Sequence, residues 1–162
     1  MIALSKFLLR FARCASGSAL LEATIVIPLA ISLMVGGVDF GLALNTQATG
    51  SKAVRDAARY LASVPRDYVC TWGRTNAQNL AVYGKLSPAQ TDLPLVTGWT
   101  MNGGSNNFVN LGSATDCADP AAITVIQLEA RIPYSSIMLS AILPGVAVLT
   151  LAANHEERHI GQ

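Results

Sequence analysis

The feature that most constrains this chain is an uncharged, largely apolar run from Ala23 to Val38, with one carboxylate, Glu22, at its leading edge. Taken as a helix from Ser18 to Leu44, about 27 residues, the segment is about 40 Å long at 1.5 Å per residue. That length crosses a hydrocarbon core of roughly 30 Å with some to spare. Ahead of it, residues 1–17 (MIALSKFLLRFARCASG) carry Lys6, Arg10 and Arg13 and no acidic residue, the layout of a targeting segment. Composition agrees: 51% of the chain is apolar and only 13% charged, too hydrophobic for an ordinary cytosolic domain of this length. Subtracting the leader and one span leaves roughly 110 to 120 residues, enough for one soluble domain. A net charge of +1 supplies no field for a polyanion, so nucleic acid is not an expected partner. Lys52, Arg55 and Arg59 on the far side of the run largely cancel the positive bias of the leader, and charge counting leaves the topology open.

Glu22 needs an explanation, because a carboxylate left near the centre of a bilayer costs on the order of 3 kcal/mol. If the chain is cut after Gly17, a new α-amino group appears at Ser18, about one helical turn from Glu22 and mostly cationic near neutral pH. In a stack of helices, that amine on an incoming subunit can meet the glutamate of one already in place, neutralising both charges and fixing the axial register. The plainer reading is a glutamate that snorkels to the interface.

Gly17, Ser18, Ala19, Leu20, Leu21 and Glu22 resemble the prepilin-peptidase motif of a glycine, four residues and a glutamate. The wider stretch from Gly17 to Ser63 resembles the TadE-like family of the tight-adherence (Flp-type) pilus system in the order of its features. These are the glycine and glutamate pair, Pro28 within the apolar run, Asp39-Phe40-Gly41 at its end, and the Ala-Arg-rich repeat from Arg55 to Tyr60. Ala23 departs from the aromatic residue that many pilin-like sequences place after the glutamate. The resemblance implies processing between Gly17 and Ser18 and an assembly or register role for Glu22. The implied partners are a prepilin peptidase, other Tad/Flp pilins, inner-membrane assembly proteins and the lipid bilayer. A conventional signal peptide cut near Val35-Gly36-Gly37 is the competing reading, and it leaves Glu22 unexplained.

Beyond the span, Ala53, Val54, Ala57, Tyr60, Leu61 and Val64 share one helical face, with Lys52, Arg55, Asp56 and Arg59 on the other. The periodicity predicts that the helix continues over 45–64, limited by Pro65. Thr75 and Gln78 read as a capping box for a second helix over 75–84 that leaves through Gly84. Short apolar runs at Leu95–Met101 and Phe108–Leu111 flank Asn102-Gly103-Gly104-Ser105 and suggest a weak hairpin in a little-constrained stretch from Ser87 to Pro120. The alternation from Ile123 to Ile132 predicts a strand ending at Pro133. After it, a short helix over Ser136–Leu143 and a strand over Val146–Ala152, antiparallel to the first, are expected, against a membrane-associated reading of residues 137–153.

Cys70 and Cys117 are the two thiols outside the leader. In an oxidising compartment they invite a disulfide closing about 46 residues, worth roughly 4 kcal/mol in the chain-entropy model; two unrelated buried thiols are the alternative. The tail His155-Glu156-Glu157-Arg158-His159 satisfies a zinc-peptidase pattern. That chemistry needs both imidazoles on one helical face, a third ligand and a cleft. The tail follows a predicted strand and reads as a solvated terminus; Glu129 is the one upstream carboxylate considered as a ligand.

These readings converge on an α+β chain: a leader (1–17), a transmembrane helix (18–44), its amphipathic continuation (45–64) and a small pilin-like head with an antiparallel sheet (65–162). The implied role is structural and non-enzymatic, without cofactor or metal: a minor pilin or pseudopilin supporting pilus assembly, adhesion and biofilm formation. It would sit as a single-pass bacterial inner-membrane protein with its head in the periplasm, or within an extracellular pilus. A membrane-resident assembly factor that never enters the filament is the alternative, and a zinc hydrolase the third reading.

Overall fold

The computed structural model of the protein describes residues 15–101, 109–111, 123–136 and 148–161. A single helix, α1, runs from Ala15 to Ser63, 49 residues or about 74 Å. Pro28 lies inside it, as lipid-facing helices tolerate. The predicted span and its amphipathic continuation are therefore one element. It stops where Pro65 removes the helical option for the residue before it.

The lower and upper halves of α1 meet different surroundings. Below Asp39 the large apolar side chains are exposed, among them Leu21, Ile25, Ile31 and Met34. In the upper half Ala53, Val54, Ala57, Ala58, Leu61 and Ala62 are buried, while Lys52, Arg55, Asp56 and Arg59 face outward. The predicted division of faces is the observed one.

After α1 the chain makes a helical turn at Arg66–Tyr68 and a π-helical turn at Val69–Gly73, then runs directly into helix α2, Arg74–Tyr83. The expected capping box does not form. The chain kinks at Thr71 (φ −105°, ψ −115°) and is helical again by Gly73, so the helix starts ahead of Thr75, which lies inside it, and Gln78 is buried. The exit is as predicted: Gly84 is left-handed (φ 69°), its N–H donating to the Leu80 carbonyl at 2.9 Å.

The sheet has the order β1-β2-β3, all antiparallel: β1 is Val109–Leu111, β2 Val125–Ser135 and β3 Val148–Arg158. Ile126, Leu128, Ala130 and Ile132 turn inward from β2 and close a core with α1 and α2. Three expectations are corrected here. Residues 95–101 form turns rather than a hairpin strand; β1 pairs instead with β2, Val109 opposite Ala130. The stretch after Ser87 is also better tied down than its polarity implied. The Leu95 N–H donates to Val82 at 2.7 Å, Lys85 pairs with Asp92 at 2.8 Å, and Trp99 is buried in the core. Second, Pro133 does not end β2 but pairs with Thr150; it lies past the described end of β1, where a missing N–H breaks no described ladder. Third, β3 is longer than expected and takes in His155 to Arg158. The turn at 102–105, the proposed helix beyond Ser136 and Cys117 lie outside the described residues.

One position shows how closely the stem and sheet approach. A Cβ at Gly50 would stand 2.1 Å from Ile132 Cδ1 and 3.0 Å from its Cγ1. Ile132 is fully buried and has little room to turn away. Gly50→Ala gains about 1 kcal/mol of helix propensity but overpacks the core by about 1–3 kcal/mol. A net loss of about 1 kcal/mol in the urea unfolding of the head is expected. A stabilised variant would show that Ile132 yields freely.

Candidate functional site

The bare lower stem is the largest functional surface. Within Ala19–Ser63 the most apolar 18-residue window has a mean hydropathy of 2.1, and none of it is covered by the rest of the chain. Leu20, Leu33 and Met34 are 70, 70 and 73% exposed, a degree that water penalises and lipid or a neighbouring helix would not. The backbone of Gly17 and Ser18 lies in the first turn of α1, and Glu22 follows at an exposed position. The three residues singled out in the sequence therefore share the free end of the stem, far from the head.

Where the bare stem meets the head, Asp39 is buried. The last residues of β2 reach down to it. The Ser136 hydroxyl donates to Asp39 Oδ2 at 2.6 Å, and the Tyr134 hydroxyl donates to the Asp39 carbonyl at 2.8 Å with Oδ1 at 3.5 Å. Burial, and then the Asp39 charge and hydrogen bond, raise the Tyr134 phenol above its ordinary pKa, which keeps it a donor. A cavity of about 280 Å³ lies beside this contact, lined by Leu42, Thr46, Pro133 and Tyr134 among others. Higher up, Gln47 Nε2 donates to the Ala152 carbonyl of β3 at 2.9 Å. Sequence reading took Asp39 only as the end of the apolar run; a lone carboxylate between Val38 and Phe40 was the available signal.

The other end of α1 is closed by the C-terminal tail. The Ile160 and Gly161 N–H groups donate to the Ala62 carbonyl at 2.9 and 3.0 Å, and His159 N–H to Thr124 at 3.0 Å. His159 is buried with Nε2 2.9 Å from the Val64 carbonyl. A carbonyl only accepts, so Nε2 carries a proton, and Nδ1 is buried with no hydrogen-bond partner among the described residues. The tail thus satisfies carbonyls that a helix end leaves open. It is not the solvated terminus expected from sequence.

This placement also disposes of the zinc pattern. His155 and Glu157 share the core-side face of β3, their side chains 3.2 Å apart, while Glu156 lies opposite Gln127 on the outer face. Four residues of strand separate His155 from His159 by about 13 Å, whereas two nitrogens on one tetrahedral zinc lie about 3.3 Å apart. Glu129 pairs with Asn154 on the outer face, away from both histidines. No group of three or more His, Cys, Asp or Glu among the described residues could hold a metal ion.

Cys70 is half-buried against the core and is disulfide-bonded. In the chain it lies between Tyr68 and Trp72, whose exposed rings are 5.5 Å apart.

Stem and head together define a membrane-associated α+β protein with one long apolar N-terminal helix. Residues 17–59 match the family model described as TadE-like protein, a match that opens on Gly17 and covers Glu22, Asp39 and most of α1. No curated protein and no solved structure matches the chain. The matched stretch is thus similar to the TadE-like family, as its glycine, glutamate, proline and Asp-Phe-Gly order implied, and the head lies outside the matched residues. The TadE-like family is not a known enzyme family.

Proposed function

We propose that the protein is a minor pilin or pseudopilin of a tight-adherence pilus, cut by a prepilin peptidase between Gly17 and Ser18 and held in the inner membrane until it assembles. The observation that carries this is a TadE-like stem whose lower half is bare and apolar while its upper half is the core helix of a folded head. A helix of that kind suits two successive surroundings, lipid and then a bundle of like helices. In this reading residues 1–17 are the leader, 18–44 the span, 45–64 its continuation and 65–162 a periplasmic head. Cys117 is the partner of Cys70, consistent with an oxidising compartment. Glu22 receives the Ser18 amine of a neighbour during assembly, and the role is structural, supporting adhesion and biofilm formation.

The test is fractionation. Filaments sheared from cells are expected to carry the protein, and Glu22→Gln is expected to reduce that amount about tenfold or more while leaving membrane insertion unchanged, since an uncharged residue enters lipid more easily. Confinement of the wild type to the membrane fraction would favour the resident assembly factor instead. Normal incorporation of Glu22→Gln would dispose of the charge pairing.

A further inference from the structure

Across the head-side end of the membrane span and the first turns beyond it, α1 is built from weak helix formers. Gly36, Gly37, Gly41, Asn45, Thr46, Thr49 and Gly50 fall within one short stretch. Glycine inside a helix costs about 1 kcal/mol relative to alanine. The hydroxyls of Thr46 and Thr49 turn back onto the carbonyls of Leu42 and Asn45 at 3.0 and 2.9 Å, a contact that tends to bend helices. Close packing explains only Gly50, because a Cβ at Gly36, Gly37 or Gly41 meets nothing within 4 Å. The core grips the stem from Gly50 upward, Gln47 Nε2 adds one bond to the Ala152 carbonyl just below it, and no residue from Phe40 to Thr49 is buried. Asp39 is the exception below that point, about 16 Å down the axis at 1.5 Å per residue, and the end of β2 bonds to it there.

We propose that the stretch from Gly36 to Gly50 is a hinge, and that Tyr134 and Ser136 on Asp39 are the latch that holds it straight. With the latch closed, span and head form one rod, and the axis of the span sets the direction of the head. With it open, the head tilts over the bilayer while the span below Gly36 stays in lipid and the upper helix stays in its core. A chain that moves from a membrane into another assembly can use both states. The inference rests on the lower stem being a membrane span; it does not need the chain to be cut or to polymerise.

Hydrogen–deuterium exchange on the full chain in nanodiscs of phosphatidylethanolamine and phosphatidylglycerol tests it. Removing both hydroxyls with Tyr134→Phe and Ser136→Ala is expected to speed amide exchange over residues 40–49 about tenfold, with residues 53–62 changing less than about twofold. Asp39→Asn keeps an oxygen for the donors and is expected to stay within about threefold of the wild type. Adding Gly37→Ala and Gly41→Ala to the double variant is expected to restore slow exchange, because alanine stiffens the hinge without touching the head. Unchanged exchange over 40–49 in the double variant would overturn the latch. Equal acceleration over 53–62 would overturn it too, by showing that the head had loosened as a whole. Failure of the alanines to rescue would overturn the hinge. None of these outcomes bears on whether the chain enters a filament.

Discussion

Expressed with a prepilin peptidase, the protein is expected to be recovered as a chain beginning at Ser18, and without the peptidase as the full chain with residues 1–17 in place. Intact-mass measurement of the two preparations distinguishes them completely, and the expected conversion is nearly all-or-none. The expectation rests on Gly17 and Glu22, and the match to the TadE-like model opens on that glycine. The fold adds a reason against the rival cut near Val35-Gly36-Gly37. That site lies in the middle of α1, and cleavage there would remove the bare apolar stem and leave the bonds of Tyr134 and Ser136 to Asp39 holding only a frayed helix end. A mature chain beginning near Val38 would therefore sink both the pilin reading and the anchoring of the stem. Glu22→Gln is expected to be cut almost as well as the wild type, since its proposed partner, the Ser18 amine, exists only after cleavage.

Much of the stem was legible in sequence because its determinants are local. The apolar run, the face of Val54, Ala57 and Leu61, and the stop at Pro65 each follow from a handful of adjacent residues. The strand over Ile126 to Ile132 was legible for the same reason, its alternation being a short-range pattern. What escaped depends on contacts distant in the chain. Asp39 meets Tyr134 and Ser136 across 95 and 97 residues, and nothing near Asp39 announces them. The Thr75 cap failed because the chain kinks at Thr71 and is helical again by Gly73, so the helix starts before Thr75, which residue preferences at one position do not encode. Trp99 sat in a polar stretch that looked unconstrained, yet it fills the core. The tail was misread because a charged, histidine-rich terminus looks soluble, whereas alternate residues of β3 turn toward the core and carry His159 with them.

That misreading leads to the second large effect, His159→Ala, which is expected to destabilise the head by about 2–4 kcal/mol in urea unfolding of the full chain in detergent. Part of the loss comes from truncating a buried ring, which leaves a cavity. The rest comes from the Val64 carbonyl, which loses its imidazole donor at the end of α1. The tail has little slack to compensate: a Cβ at Gly161 would stand 2.2 Å from the Val64 carbonyl oxygen, so the backbone there is already in contact with the helix end. His159→Gln separates the two contributions. Its amide can present an N–H near the position of Nε2, so it should recover about 1 kcal/mol of the loss, the usual worth of one hydrogen bond. If the residue acted through a metal instead, both substitutions would abolish it equally, and added zinc would stabilise the wild type alone. A loss below about 0.5 kcal/mol for His159→Ala would place the tail among ordinary surface segments. It would also show that the upper end of α1 is closed by the Ile160 and Gly161 amides on Ala62, without help from the imidazole.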